Sequence, residues 1–190
     1  MNVRDFVALV LLEWGGEVQG KTKLQKLVYF VGALANHLDK LGYRPHFYGP
    51  YSDEVAYAVG QLKAIGALDQ NATDWGHDRS GFEVKRYDYR LTEAGRRYAQ
   101  GLEQWDVTTT REIREAVQKL RQVGDPDYIT LSIAAKTYYL LGQKPEPALL
   151  SNLVQLASRF GWNVGPSQIE QAAEFLHKIG LIELEKPASY

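Results

Sequence analysis

A chain of 190 residues, 45% hydrophobic and 24% charged, has the balance of a globular protein with one domain, or two small ones sharing a core. It holds no cysteine, which excludes a disulfide framework, a thiolate nucleophile and a cysteine-based zinc site, and which fits a reducing cytoplasm. With 22 basic and 23 acidic residues the net charge is −1, and neither residues 1–100 (13 basic, 12 acidic) nor 101–190 (9 basic, 11 acidic) are strongly basic, so nucleic-acid binding would need a local patch.

Residues 3–14 carry Phe6, Val7, Leu9, Val10 and Leu11, a run that either a helix or a buried strand could produce. FVALVLL (6–12) and LVYFVGALA (27–35) both fall short of the roughly 18 apolar residues that span a bilayer. Asp5 and the Glu13-Trp14 pair argue against a secretory signal. The expected location is cytoplasmic, with no membrane partner.

GGEVQGKT (15–22) then fits G-x-x-x-x-G-K-[ST], the phosphate-cradling loop of nucleotide hydrolases. That loop needs a preceding buried strand, a parallel sheet and a later strand ending in Asp. The segment after Thr22 reads as helical instead. The glycines are expected to turn the chain, Thr22 to cap a helix and Lys21 to be solvated, so no nucleotide cofactor is expected.

Leu24, Leu27, Val28, Val31, Leu34, Ala35 and Leu38 recur at three- and four-residue steps, which predicts an amphipathic helix ending at Gly42. Thr22 with Gln25 three residues on reads as its capping box. After HFYGPY, Ser52 is the expected N-cap of the next helix, with Asp53 and Glu54 in its first turn and Val55, Ala58, Val59, Leu62 and Ile65 on one face. Gly66 closes it. Ala67-Leu68 reads as a strand start, DQNATDWGHDRSG as a polar tip, and FEVKRYDYRL as the returning strand, with a bulge near Lys85-Arg86 where the alternation changes phase. Three helices and then a two-stranded ribbon is the order of a winged helix-turn-helix.

Thr92 opens a further helix towards Glu103, and 110–123 places Ile113, Val117 and Leu120 on one stripe, suited to packing within the chain or against a second copy. Asp125 as cap, Pro126 at the first position and Gly142 at the end mark another helix. PEPALLSNLVQLASRFG is a further one. The last, in NVGPSQIEQAAEFLHKIGLIELE, resembles the segment after Gly49: Val55, Ala58, Leu62, Ile65 and Gly66 correspond to Ile169, Ala172, Leu176, Ile179 and Gly180. This suggests a second, wing-poor unit and an old duplication.

Chemistry-bearing patterns are few. There is no H-E-x-x-H and no G-x-S-x-G, and His37, His46 and His177 stand apart. Asp74, His77 and Asp78 read as a solvated turn, with no metal site. Aromatics gather in Tyr29, Phe30, Tyr43, Phe47, Tyr48, Tyr51 and Tyr57; Tyr29, Tyr48, Tyr51 and Tyr57 are the candidates for a protein-contact surface. Lys63, Arg79, Lys85, Arg86, Arg90, Arg96 and Arg97 are the candidates for a nucleic-acid contact.

Lys23-Leu24-Gln25-Lys26-Leu27-Val28-Tyr29, Phe47-Tyr48-Gly49-Pro50-Tyr51-Ser52, Gly66 and Tyr89-x-Leu91-Thr92-Glu93-x-Gly95 together resemble the little-characterised YwgA-like family. The L-Q-K-L and Y-G-P-Y-S elements are also similar, more distantly, to the SocA-like (Panacea) antitoxin domain. The resemblance covers about the first hundred residues. It implies a winged-helix scaffold, little chemistry, and for the second group action through protein partners.

The expected architecture is mainly α with a small antiparallel ribbon: a winged helix-turn-helix unit over 1–100, a linker helix over 101–124 and a helical unit over 125–190. The expected function is non-enzymatic, a DNA-binding or regulator-like protein acting on double-stranded DNA. The alternative is an antitoxin-like or adaptor protein bound to another protein, with a homodimer as a further candidate assembly.

Overall fold

The fold is taken from a computed structural model, which describes residues 1–77, 83–143 and 148–184. Its first helix, α1 (Val3–Trp14), settles the ambiguity of the opening run. The Asn2 side chain accepts from the Asp5 N–H, and every residue from Phe6 to Leu11 is buried. A helix apolar on all sides needs cover on all sides, and α1 packs against α3, α4 and α5, defined below.

Within GGEVQG lies a strand, β1 (Glu17–Gln19), with Val18 as its one buried side chain. The loop therefore follows a helix, since Gly15 at φ +110° closes α1. The sheet has three strands rather than the expected two, all antiparallel in the order β1-β3-β2, with β2 at Leu68–His77 and β3 at Glu83–Leu91. Glu17, Val18 and Gln19 pair with Arg90, Tyr89 and Asp88. β2 takes in much of the segment expected as a polar tip; a ribbon exposed on both sides needs no apolar alternation to form. The register shift falls near Lys85, as expected, but on the partner strand, between Asp74 and His77. Asp78, Arg79 and Phe82 lie outside the described residues.

The second helix, α2 (Lys21–Leu34), starts on Gly20, which has no side chain to cap it. The expected Thr22 capping box does not form, because Gln25 is buried and engaged elsewhere. Nor does α2 run to Gly42. It ends at Leu34, Asn36 turns left-handed at φ +57°, and a short 3-10 turn (Leu38–Leu41) folds back so that Leu41 packs on Gly32.

The third helix, α3 (Asp53–Ala64), begins as expected: Ser52 Oγ accepts from the Val55 N–H at 2.9 Å. Val55, Ala58, Val59 and Leu62 are buried, whereas Ile65 is 55% exposed. Gly66 closes the helix at φ +70°. These two starts give a paired prediction. Ser52→Ala should cost about 1–2 kcal/mol, because Oγ also donates to the buried Leu41 carbonyl at 2.5 Å. Thr22→Ala should stay within about 0.5 kcal/mol of wild type, as urea unfolding of both variants would read out.

The remaining helices are α4 (Glu93–Trp105), α5 (Val107–Gln122), α6 (Tyr128–Gly142), α7 (Leu150–Arg159) and α8 (Pro166–Lys178). Ile113, Val117 and Leu120 of α5 are buried within the chain. The cap of α6 is Asp127, accepting from Thr130 N–H at 2.7 Å, and not Asp125, whose carboxylate pairs with Lys23 at 2.6 Å. α8 repeats α3 in detail: Ile169, Ala172 and Leu176 are buried, and Leu181 N–H returns to Leu176 O as Ala67 N–H does to Leu62 O. It departs in that Ile179 is buried, and no strand follows it among the described residues.

One apolar cluster runs from Phe6 to Ile179, with α2 packed against both α5 and α6. A smaller one gathers Leu140, Leu153, Ala157, Trp162, Val164 and Ile169 between α6, α7 and α8. The chain is thus mainly helical with a small three-stranded antiparallel sheet. None of its described helices is long and apolar enough to cross a membrane.

Candidate functional site

The two sequence motifs of the amino-terminal half meet each other. The Gln25 side chain donates to Ser52 O at 2.9 Å and accepts from Ser52 N–H at 3.1 Å, both buried. An amide of this kind substitutes for a strand partner, satisfying the backbone of a residue that has no ladder neighbour. Tyr43 Oη donates to Gln25 O at 2.7 Å, and Arg44 and Tyr51 exchange backbone hydrogen bonds that close the intervening hairpin. The L-Q-K-L helix therefore holds the Y-G-P-Y-S turn, and that turn sets the start of α3.

Lys26, on the same helix, is only 1% exposed. Its Nζ donates to Pro50 O at 2.5 Å and has no carboxylate partner among the described residues. Burial first, and the charge of Lys136 second, push its ammonium down to about 7. Lys136 stands over the Trp162 ring at 5.8 Å, and the indole N–H donates to His46 O at 2.7 Å. A cavity of about 190 Å³ opens here, lined by the first turn of α2, Lys26, His46, Tyr48 and Tyr51. Lys21 reaches over the Tyr51 ring at 5.5 Å.

The candidate aromatics separate. Tyr29 is core: it is 1% exposed and edge-on to Tyr43 at 4.9 Å, so it offers no contact surface. Tyr51 is half-buried under Lys21. Tyr48 and Tyr57 are open, at 63% and 71%, but on different elements, the hairpin and α3.

The candidate cations separate too. Successive strand residues face opposite sides, so Lys85 shares the side of Tyr87 and Tyr89, towards α2 and α3, while Arg86 and Arg90 lie on the other. Lys63 bonds Gln70 at 2.6 Å. A groove of about 230 Å³ takes in Lys21, Lys63, Gln70 and Tyr87 between α2, α3 and the sheet, and Lys85 extends that side along the ribbon. On the far side Arg86 pairs with Asp88 at 2.8 Å and Arg90 with Glu17 at 3.0 Å. Arg97 pairs with Glu93 at 3.2 Å along α4, and Arg96 lies over the Gly15-Gly16 turn. Arg79 lies outside the described residues.

Sequence reasoning did not single out Gln25, Lys26 or Lys21 as site residues. For Gln25 and Lys26 the available signal was their place in the stretch from Leu24 to Ala33, which is buried at every position: any polar side chain inside it must find an interior partner. No group of three or more His, Asp or Glu side chains suited to a metal ion occurs among the described residues.

No family model matches the chain, and no solved structure does. A match among curated proteins is YwgA of Bacillus subtilis (strain 168), an uncharacterised protein, at 35% identity over 80 residues. The match takes in 42% of this chain and spans 44% of that protein's length. Over this partial length the chain is similar to YwgA.

Proposed function

We propose that the protein is a DNA-binding regulator of the winged-helix type that contacts duplex DNA through the outer half of α3 and the ribbon. The order α1-β1-α2-α3-β2-β3, with β1 added to β3, supports this reading. In such a motif the second helix of the turn enters the major groove and strand cations hold the backbone. The observation that carries it is the groove bordered by Lys21, Lys63 and Gln70, with Lys85 on the same side of β3 as its lining residues Tyr87 and Tyr89. Asp53 and Glu54 occupy the start of α3, where phosphates would be repelled. The contact is therefore centred on Lys63 and the ribbon rather than on the amino-terminal end of α3.

The pleat makes the test face-specific. Lys63→Glu with Lys85→Glu should abolish retention of duplex DNA at low salt. Arg90→Glu, on the far side of β3 beside Glu17, should weaken it far less, since that side chain points away from the groove. Loss in both variants equally would mean non-specific charge attraction. If the wild type shows no retention at about 50 mM salt, the DNA reading fails and a protein partner takes its place. Tyr57 favours that second reading: it projects from α3 beside a groove formed with Arg4, Glu54 and Gln61, and an exposed aromatic of this kind is a common anchor at interfaces.

A further inference from the structure

We propose that the cavity between the first turn of α2 and the 44–51 hairpin is a binding site for a small oxyanion, inorganic phosphate or a phosphate monoester. The site is distinct from the groove assigned to DNA, although Lys21 borders both.

Two independent features point to an anion. The first is the helix start. The first intrahelical bond of α2 runs from Leu24 N–H to Gly20 O, and Gly20 supplies no side chain for the N–H groups of Lys21, Thr22 and Lys23. An uncapped start on a fourteen-residue helix carries partial positive charge and open donors. The second is Lys26, fully buried and lining the cavity, whose ammonium has Pro50 O as its one hydrogen-bond acceptor among the described residues. A buried ammonium without a carboxylate is costly, and the charge that acts on it, Lys136 from α6, is of the same sign. The other ionisable groups around the cavity are Lys21, His46, Tyr48 and Tyr51; no acid lines it.

An entering oxyanion would meet Lys26 Nζ, the Lys21 ammonium, the Thr22 hydroxyl and the backbone donors from several directions. That disposition suits a tetrahedral group better than a planar carboxylate. Tyr48, exposed at the mouth, leaves room for an ester substituent. The site is not a P-loop: Gly15 and Gly16 lie at the end of α1 on the far side of β1, and the groups that would bind are those after Gly20.

The test is titration calorimetry of the full chain with inorganic phosphate, in chloride buffer of constant ionic strength near pH 6.5. Saturable one-to-one binding is expected, weakened about tenfold or more in Lys26→Met. Lys21→Ala, at an exposed position, should weaken it as well and serves if Lys26→Met does not fold. Glycerol 3-phosphate is the second probe: tighter binding than phosphate assigns a monoester, equal binding the free ion. Lys63→Glu with Lys85→Glu should bind phosphate as wild type does, which separates this site from the DNA groove. No saturable binding of either probe, or equal binding by wild type, Lys26→Met and Lys21→Ala, overturns the proposal.

Discussion

Lys26→Met should be more stable than wild type at pH 6 in phosphate-free buffer, and the two should converge as the pH rises towards 9. The Lys26 ammonium sits at about 7 in the folded chain against 10.5 when unfolded. Between those values the unfolded state binds more protons, so wild-type stability rises with pH; below 7 the cost of the buried charge is present in full. The slope is at most about 1.4 kcal/mol per pH unit, which gives wild type a relative gain of roughly 2 kcal/mol between pH 7 and 9. Met fills similar space without the charge, though it leaves Pro50 O unpaired. Urea midpoints of both proteins at four pH values would read this out. Parallel curves would mean that Lys26 is solvated in the folded state. Above pH 9 both curves turn down, because burial pushes Tyr29 and Tyr43 well above the usual tyrosine range and Tyr89 up to about 12. These stay neutral when folded and ionise near 10 when unfolded, so comparing the two proteins isolates Lys26.

Gly95→Ala should be among the most destabilising single-methyl additions in the chain. Gly95 lies in the first turn of α4, where a Cβ would land on the Ala67 carbonyl oxygen. That oxygen accepts from Thr92 N–H at 3.1 Å, and Thr92 Oγ1 both donates to Gly66 O at 2.7 Å and accepts from Gly95 N–H at 3.0 Å. The obstacle is backbone, so relief requires α4 to move off the corner between α3 and β2. A cost of about 3 kcal/mol or more is expected. Gly101→Ala in the same helix is the control: nothing lies near its Cβ, and it should gain about 0.5–1 kcal/mol. Thermal melts ranking the two alike would remove the close-packed corner.

The features legible in the sequence were the local ones. Ser52 caps α3 and Gly66 closes it because both act within one turn. The expected Thr22-Gln25 box failed because Gln25 has a partner 27 positions away, and a buried long-range bond prevails over an exposed local one. Strand β1 went unseen because it has three residues and takes its pairing from β3, some seventy residues later. Tyr29 and Tyr48 look alike as residue types; only the packing of α2 against α6 separates a core ring from an exposed one. The cations of the ribbon were grouped by sequence proximity, and the pleat of β3 divides them.

The all-round burial of α1 bears on how the chain comes off the ribosome. α1 is made before the helices that cover it, since α3, α4 and α5 span residues 53–122. At about 5–20 residues per second, roughly 5–20 seconds pass before its last cover is synthesised. β1, α2, α3 and α4 also touch α1 and are made earlier, but until α5 is complete part of the Phe6 to Leu11 surface lacks its native cover, so α1 is a segment on which holding chaperones would act.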